Sequence, residues 1–217
     1  FVILFSLYFY YTTSGLFVLL LIGVAVSDFV IAMFINDAKS QRNRKLLLLL
    51  SCCINLGLLC YFKYTNFFGM MIADLTGGHF EIKNIFLPIG ISFYIFQSMS
   101  YVIDIYRGNI QPLQLFVDYL FYVSFFPQLV AGPIVRARDF LPQILQKPVV
   151  SKEMFGEGVF LIIAGLFKKA VISDYISLNF VDRVFENPLL YSGFENLMGI
   201  WGYALQIYCD FSGYSDM

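Results

Sequence analysis

Long apolar runs alternate with short polar loops along this chain, and the runs have the length that crosses a bilayer. About 20 mainly apolar residues span the hydrocarbon core, and such stretches occupy residues 15–35, 46–71, 86–106 and 158–176, with a final run at 198–210. Residues 1–11 read as the tail of a further span. Two stretches are weaker: 115–131 is short and interrupted by Pro127, and 189–199 is a glycine-broken lead-in to the last run. The pattern predicts an all-α, polytopic helical membrane protein, because only helices satisfy their backbone groups internally within one apolar segment. No repeat or low-complexity tract interrupts it, and residues 1–217 read as a single multi-span domain, incomplete and cut at both ends.

Composition agrees. Of the 217 residues, 59% are hydrophobic, 19% aromatic and only 13% charged, with a mean hydropathy of +0.74, far from the balance of a water-soluble domain. The formal net charge of −1, with basic residues scattered among loops, gives no electrostatic footprint for nucleic acid. Cys52, Cys53, Cys60 and Cys209 lie in apolar runs without CxxC pairs or a nearby histidine cluster; they read as packing residues rather than zinc ligands or a disulfide framework.

Charge sets the expected orientation. Lys39, Arg42, Arg44 and Lys45 place one loop on the cytoplasmic side, which puts the next loop, holding His79, outside and the turn around Arg107 inside. A full crossing by 115–131 would carry Arg136, Arg138, Lys147 and Lys152 outside, against that rule. A re-entrant or in-plane element, interrupted by proline and glycine, removes the conflict, and irregular backbone at that depth implies burial in protein or a wet cavity.

Polar residues inside the runs mark faces. In "LPIGISFYIFQSMSYVIDIYRG", Pro88 suits a first helical turn, and Gln97, Tyr101 and Asp104 then share one face toward protein. Asp104 and Arg107, three residues apart, read as an interfacial ion pair. In the last run Tyr203, Gln206 and Asp210 form a second stripe, ending where Ser212-Gly213 is expected to break the helix. Asp210 either reaches the interface or fronts a polar cavity. Lys168 and Lys169 either snorkel or line a cavity near Asp174. His79, the sole histidine, sits in a loop without the oriented neighbours that acid–base work requires.

In order along the chain, the stretches "YFKYTNFF" (61–68), "LPIGISFYIFQSMSYVIDIYRG" (87–108), "SFFPQLVAGPIVR" (124–136), "GLFKKAVISD" (165–174) and "ALQIYCDFSGYSDM" (204–217) resemble the membrane-bound O-acyltransferase family. The resemblance is to its bacterial branch, which includes the integral-membrane subunit of alginate O-acetylation. It implies a multi-pass enzyme of the bacterial cytoplasmic membrane that moves an acyl group from a cytoplasmic donor to an acceptor hydroxyl through a central tunnel. It also implies that the catalytic histidine, and a second histidine, follow "DFSGYSDM" beyond Met217, so that 1–217 alone is inactive.

Acyl transfer to a hydroxyl requires a base near pH 7 and a polar cavity within the bilayer. The expected cavity or donor-binding residues are Pro127, Gln128, Gly132, Pro133, Arg136, Arg138, Lys168, Lys169, Gln206 and Asp210, without a metal. Pro127 and Pro133 would hold their segment out of helix, and Arg136 and Arg138 would bind donor phosphates at the inner mouth. The expected donor is acetyl-CoA or another thioester, with no bound cofactor. Expected partners are membrane lipid, a polysaccharide acceptor and extracytoplasmic acetylation proteins. A transporter with broken helices, a non-catalytic polysaccharide-export subunit, and D-alanyl transfer to teichoic acid are the alternatives.

Overall fold

The computed structural model describes residues 1–131, 135–145 and 149–217, and every regular element among them is helical. The chain divides into two units, residues 1–130 with 134–147 and residues 131–133 with 148–217.

In the first unit α1 (Val2–Ser14) turns at Gly15, with φ of 60°, through a short 3-10 turn into α2 (Val18–Asp37). The 20 residues of α2 rise about 30 Å. After a short loop come α3 (Gln41–Leu59), a π-helical turn (Cys60–Tyr64) and α4 (Thr65–Thr76) in one continuous rod. The stretches Val2–Asp37 and Gln41–Thr76 are each long and apolar enough to cross a membrane. They account for the runs expected at 15–35 and 46–71.

Residues 78–88 carry no helix, so α5 (Ile91–Arg107) starts later than the apolar run at 86–106 suggested, and Pro88 lies outside its first turn. The start is fixed by Gly90, whose φ of 71° ends the extended stretch and whose carbonyl accepts from the Phe93 and Tyr94 amides. The C-terminus closes on Gly108, φ 75°: its amide donates to Ile105 O and that of Asn109 to Asp104 O. This double bond is the Schellman arrangement that glycine allows. Arg44 of α3 donates to the Ile105 and Tyr106 carbonyls, setting a cation where the α5 dipole is negative. The Schellman turn also brings the Asn109 amide within 2.9 Å of the Asp104 carboxylate. Asp104 therefore pairs with Asn109, not with Arg107.

Three shorter helices complete the unit: α6 (Phe116–Ser124), α7 (Phe126–Ala131) and α8 (Ala137–Leu145). The break between α6 and α7 falls at Phe125, whose ψ of 109° is not helical. Pro127 follows as the second residue of α7, where a missing N–H costs nothing. The expectation that Pro127 holds its segment out of helix is thus corrected: proline starts a helix here.

One buried carboxylate joins these helices. Asp28 of α2 is fully buried. It accepts from Ser51 Oγ (2.6 Å) and Asn55 Nδ2 (2.7 and 3.0 Å) on α3, and from Ser98 Oγ on α5. Ser98 Oγ lies 2.6 Å from the Tyr119 hydroxyl of α6. The rings of Tyr94, Tyr101, Tyr119 and Tyr122 are fully buried in the same unit, with Tyr101 and Tyr119 centroids 4.5 Å apart.

The second unit is a helical hairpin. Its first arm runs through α9 (Lys152–Leu166), a π-helical turn (Phe167–Ser173), α10 (Asp174–Ile176), a second π-helical turn (Ser177–Val181) and α11 (Asp182–Glu186). The second arm is α12 (Gly193–Asp216), begun by a capping box in which Ser192 and Glu195 bond reciprocally. The helix runs through Ser212-Gly213 without the expected break. Gly213 is a contact point instead: a Cβ there would lie 2.8 Å from the Gly165 carbonyl, the close backbone approach that small residues permit between membrane helices. Cys209 is buried as expected of a packing residue, but Cys53 and Cys60 are exposed on the outer face of their helix.

Gly90 gives the sharpest test of this packing. Alanine there meets both an unfavourable φ and the Leu129 carbonyl, 2.3 Å from the new Cβ. The backbone strain alone is about 1–3 kcal/mol. Gly90→Ala is expected to lower the melting temperature of the full-length protein in detergent clearly, whereas Gly57→Ala, with open space at its Cβ, should not.

Candidate functional site

The polar residues expected at the site fall into two groups, one in each unit. In the first unit, Gln97 of α5 donates to the Tyr122 carbonyl (2.8 Å) and to Gln128 Oε1 (2.9 Å). Gln128 is thereby tied to α5, while Pro127 beside it is exposed. The Tyr122 hydroxyl donates to the Val135 carbonyl at 3.0 Å, fixing the backbone just before Arg136. Arg136 is exposed, and its own carbonyl caps α8 by accepting from the Asp139 and Phe140 amides. Arg138 is also exposed and sits 3.5 Å from Asp139, a surface pair of small energetic weight. Gly132 and Pro133 lie outside the described residues. Gln97, Tyr101 and Asp104 are all buried, so the α5 stripe does face protein.

In the second unit the stripe of α12 meets the opposite arm of the hairpin. Lys169 Nζ pairs with Asp210 Oδ1 at 2.6 Å and with Asp174 Oδ1 at 2.8 Å, and Lys168 Nζ bonds Asp216 Oδ2 and Ser212 Oγ. Gln206 donates to Ser177 Oγ at 3.0 Å, and its carbonyl accepts from Ser173. Tyr203 packs edge-on against Phe185. Both lysines come from the first π-helical turn, whose widened helix lets neighbouring residues reach across to α12. Such turns recur at functional sites. The cluster holds two cations against three carboxylates, Asp174, Asp210 and Asp216, all half-exposed at most. The lysines therefore pair with the carboxylates of α12 and α10, and Asp174 lies beside Lys169, as the sequence led one to expect.

His79 lies exposed in the stretch 78–88, with Asp74 and Phe80 lining the same shallow hollow. Sequence reasoning passed over the Asp28 network entirely. Its signal was nonetheless present: Asp28 interrupts the apolar run 15–35 as Asp210 interrupts the last one, and Ser51 and Asn55 stand four apart in a leucine-rich helix. Among the described residues no group of three or more metal-ligating side chains converges.

The first unit combines two stretches long and apolar enough to cross a membrane with polar groups buried between its helices. No family model matches the chain. It is 34% identical, over 99% of its length, to the peptidoglycan O-acetyltransferase of Helicobacter pylori. It is 36% identical, over 93%, to the probable alginate O-acetylase of Pseudomonas aeruginosa. A more distant relative, 25% identical over 63% of the chain, is the teichoic acid D-alanyltransferase of Bacillus subtilis. The chain belongs to the membrane-bound O-acyltransferase family. It spans 46% of the Helicobacter relative and 39% of the Pseudomonas one.

Lys169 holds two carboxylates and Lys168 one, and removing a partner from a poorly solvated charge costs more than the pair contributes. Lys169→Met is therefore expected to lower the melting temperature of the full-length protein more than Lys168→Met does. Equal shifts would mean that the Asp210 pairing carries no weight.

Proposed function

We propose that the full-length protein is a membrane-bound O-acyltransferase that moves an acetyl group from a cytoplasmic thioester to hydroxyls of an extracytoplasmic polysaccharide. The observation that carries this reading is the homology, over nearly the whole chain, to transferases named for acetylating peptidoglycan and alginate. Acetyl is preferred to D-alanyl because the acetylating relatives are 34–36% identical and the D-alanylating one 25%. A transporter or an export scaffold has no such relative to support it.

The reaction breaks the thioester C–S bond and forms an ester C–O bond, while the acceptor proton passes to a base and the thiolate leaves. The base is the histidine that the family resemblance places after "DFSGYSDM"; exposed His79 lacks an orienting partner for that role. Residues 1–217 supply surroundings. Arg136 and Arg138 project from the polar end of the α6–α7–α8 segment, with donors suited to the phosphates of a coenzyme A thioester. The broken helix α6–α7, about 14 Å and about 9 Å of rise for its 9 and 6 residues, is too short in either part to cross the bilayer. This length favours the re-entrant or in-plane reading and a cytoplasmic location for Arg136. Extracytoplasmic acetylation proteins are the partners to which the acyl group, or the acceptor, would be presented.

The test is reconstitution. Full-length protein in bacterial inner-membrane lipid, given radiolabelled acetyl-CoA, should label the glycan hydroxyls of its own organism's envelope polymer, and a deletion strain should lose those esters. Arg136→Ala and Arg138→Ala should raise KM for the donor at least about fivefold, roughly 1 kcal/mol of binding, with kcat within about twofold. An unchanged ester content in the deletion strain would overturn the reading.

A further inference from the structure

Asp28 has no place in the chemistry above, yet it is the most enclosed carboxylate among the described residues, with 0% of its surface accessible. No lysine or arginine among the described residues pairs with it; its partners are neutral donors. An ionisable group at membrane depth is costly and calls for a reason.

The donor bookkeeping gives one. Asn55 makes two bonds to Asp28 and Ser51 a third, so the α2–α3 connection is made three times over. The connection from Asp28 to α5 and α6 runs through a single hydroxyl. Ser98 carries one proton and gives it to Asp28 Oδ2, so the Tyr119 hydroxyl must donate to Ser98. A directed chain follows: Tyr119 to Ser98 to Asp28. Next to Ser98, Gln97 holds the Tyr122 carbonyl and Gln128, and three residues after Tyr119 the Tyr122 hydroxyl holds Val135. Two adjacent residues of α5 thus set the register of α6, the seat of α7 and the backbone leading to Arg136.

We infer that Asp28 is a positioning residue. Through Ser98 and Tyr119 it fixes the broken helix α6–α7, and with it the arginine-bearing segment, against the α2–α3–α5 core. This rests on the acyl-transfer reading only for its effect on rate; the geometric claim stands by itself. Displacement of about 1 Å in such a support can lower a rate by about a hundredfold.

Two serines of matched environment separate positioning from general stability. Ser51 is 1% exposed and Ser98 0%, and each gives Asp28 one short hydrogen bond. Ser51→Ala and Ser98→Ala therefore remove the same group from equally buried sites. In the full-length protein, at matched abundance, Ser98→Ala should cut acetyl transfer at least about tenfold and Ser51→Ala less than about twofold. Tyr119→Phe keeps the packed ring and should behave as Ser98→Ala, which guards against a Ser98 variant that does not accumulate. A second arm is independent of activity. Nitroxides at Leu49 of α3 and Val117 of α6, both exposed on the outer faces of their helices, report the α3–α6 distance by pulsed electron resonance in a background lacking native cysteines. The distribution should broaden or shift in Ser98→Ala and Tyr119→Phe and stay narrow in Ser51→Ala. Equal effects of the two serine variants in both arms would overturn the inference. If wild type transfers no acetyl at all, the function proposed above fails, and the distance arm alone decides this one.

Discussion

A buried carboxylate without a cation beside it is held only if hydrogen-bond donors surround it, and in this protein that requirement organises the first unit. Asp28 collects donors from α3 and α5, and through Ser98 it reaches α6. Apolar contacts between helices in lipid discriminate poorly, since a lipid tail is as apolar as leucine. Leaving any one of these donors or acceptors unpaired in a low-dielectric interior is expensive. Helix register is therefore set by few groups, and the tyrosine rings and aliphatic side chains fill the space around them. The hydrogen bonds of Gln97 extend the same logic to α7 and make one polar line from α2 to the segment before Arg136.

The second unit solves the same problem with opposite means. Its hairpin arms approach closely at Gly165 and Gly213, and its charges are compensated by charges: Lys169 by Asp174 and Asp210, Lys168 by Asp216. Two π-helical turns on one arm accompany this pairing. The charged groups of this hairpin are thus held in fixed partnerships.

Much of this was legible from residue order. Apolar length located the helices of 15–35 and 46–71, because span length is a property of the bilayer. The α5 stripe of Gln97, Tyr101 and Asp104 followed from helical spacing. What failed depended on neighbours in space. Pro88 and Pro127 are equally compatible with entering a helix, and only the left-handed Gly90 and the turn at Phe125 decide which one does. Gly213 reads as a breaker by propensity, but a glycine in a helix also lets another backbone approach, and the Gly165 carbonyl fills the space a side chain would take there. Asp104 preferred Asn109 to Arg107 because the Schellman turn, not the i, i+3 spacing, brought a donor near. Asp28 carried a readable signal, a carboxylate within an apolar run, but its partners came from two other segments, and Arg136 and Arg138 acquire their setting only through Tyr122 and Val135.

The central claim is that Asp28 holds α6 in place. Hydrogen–deuterium exchange of the full-length protein in nanodiscs, read by mass spectrometry for wild type and Asp28→Leu, addresses it directly. Leucine has the same branched heavy-atom skeleton and removes every acceptor, so the account predicts faster exchange across α6 and α7, residues 116–131, with α12 unchanged. Unaltered protection of α6, or equal loosening of α6 and α12, would contradict it.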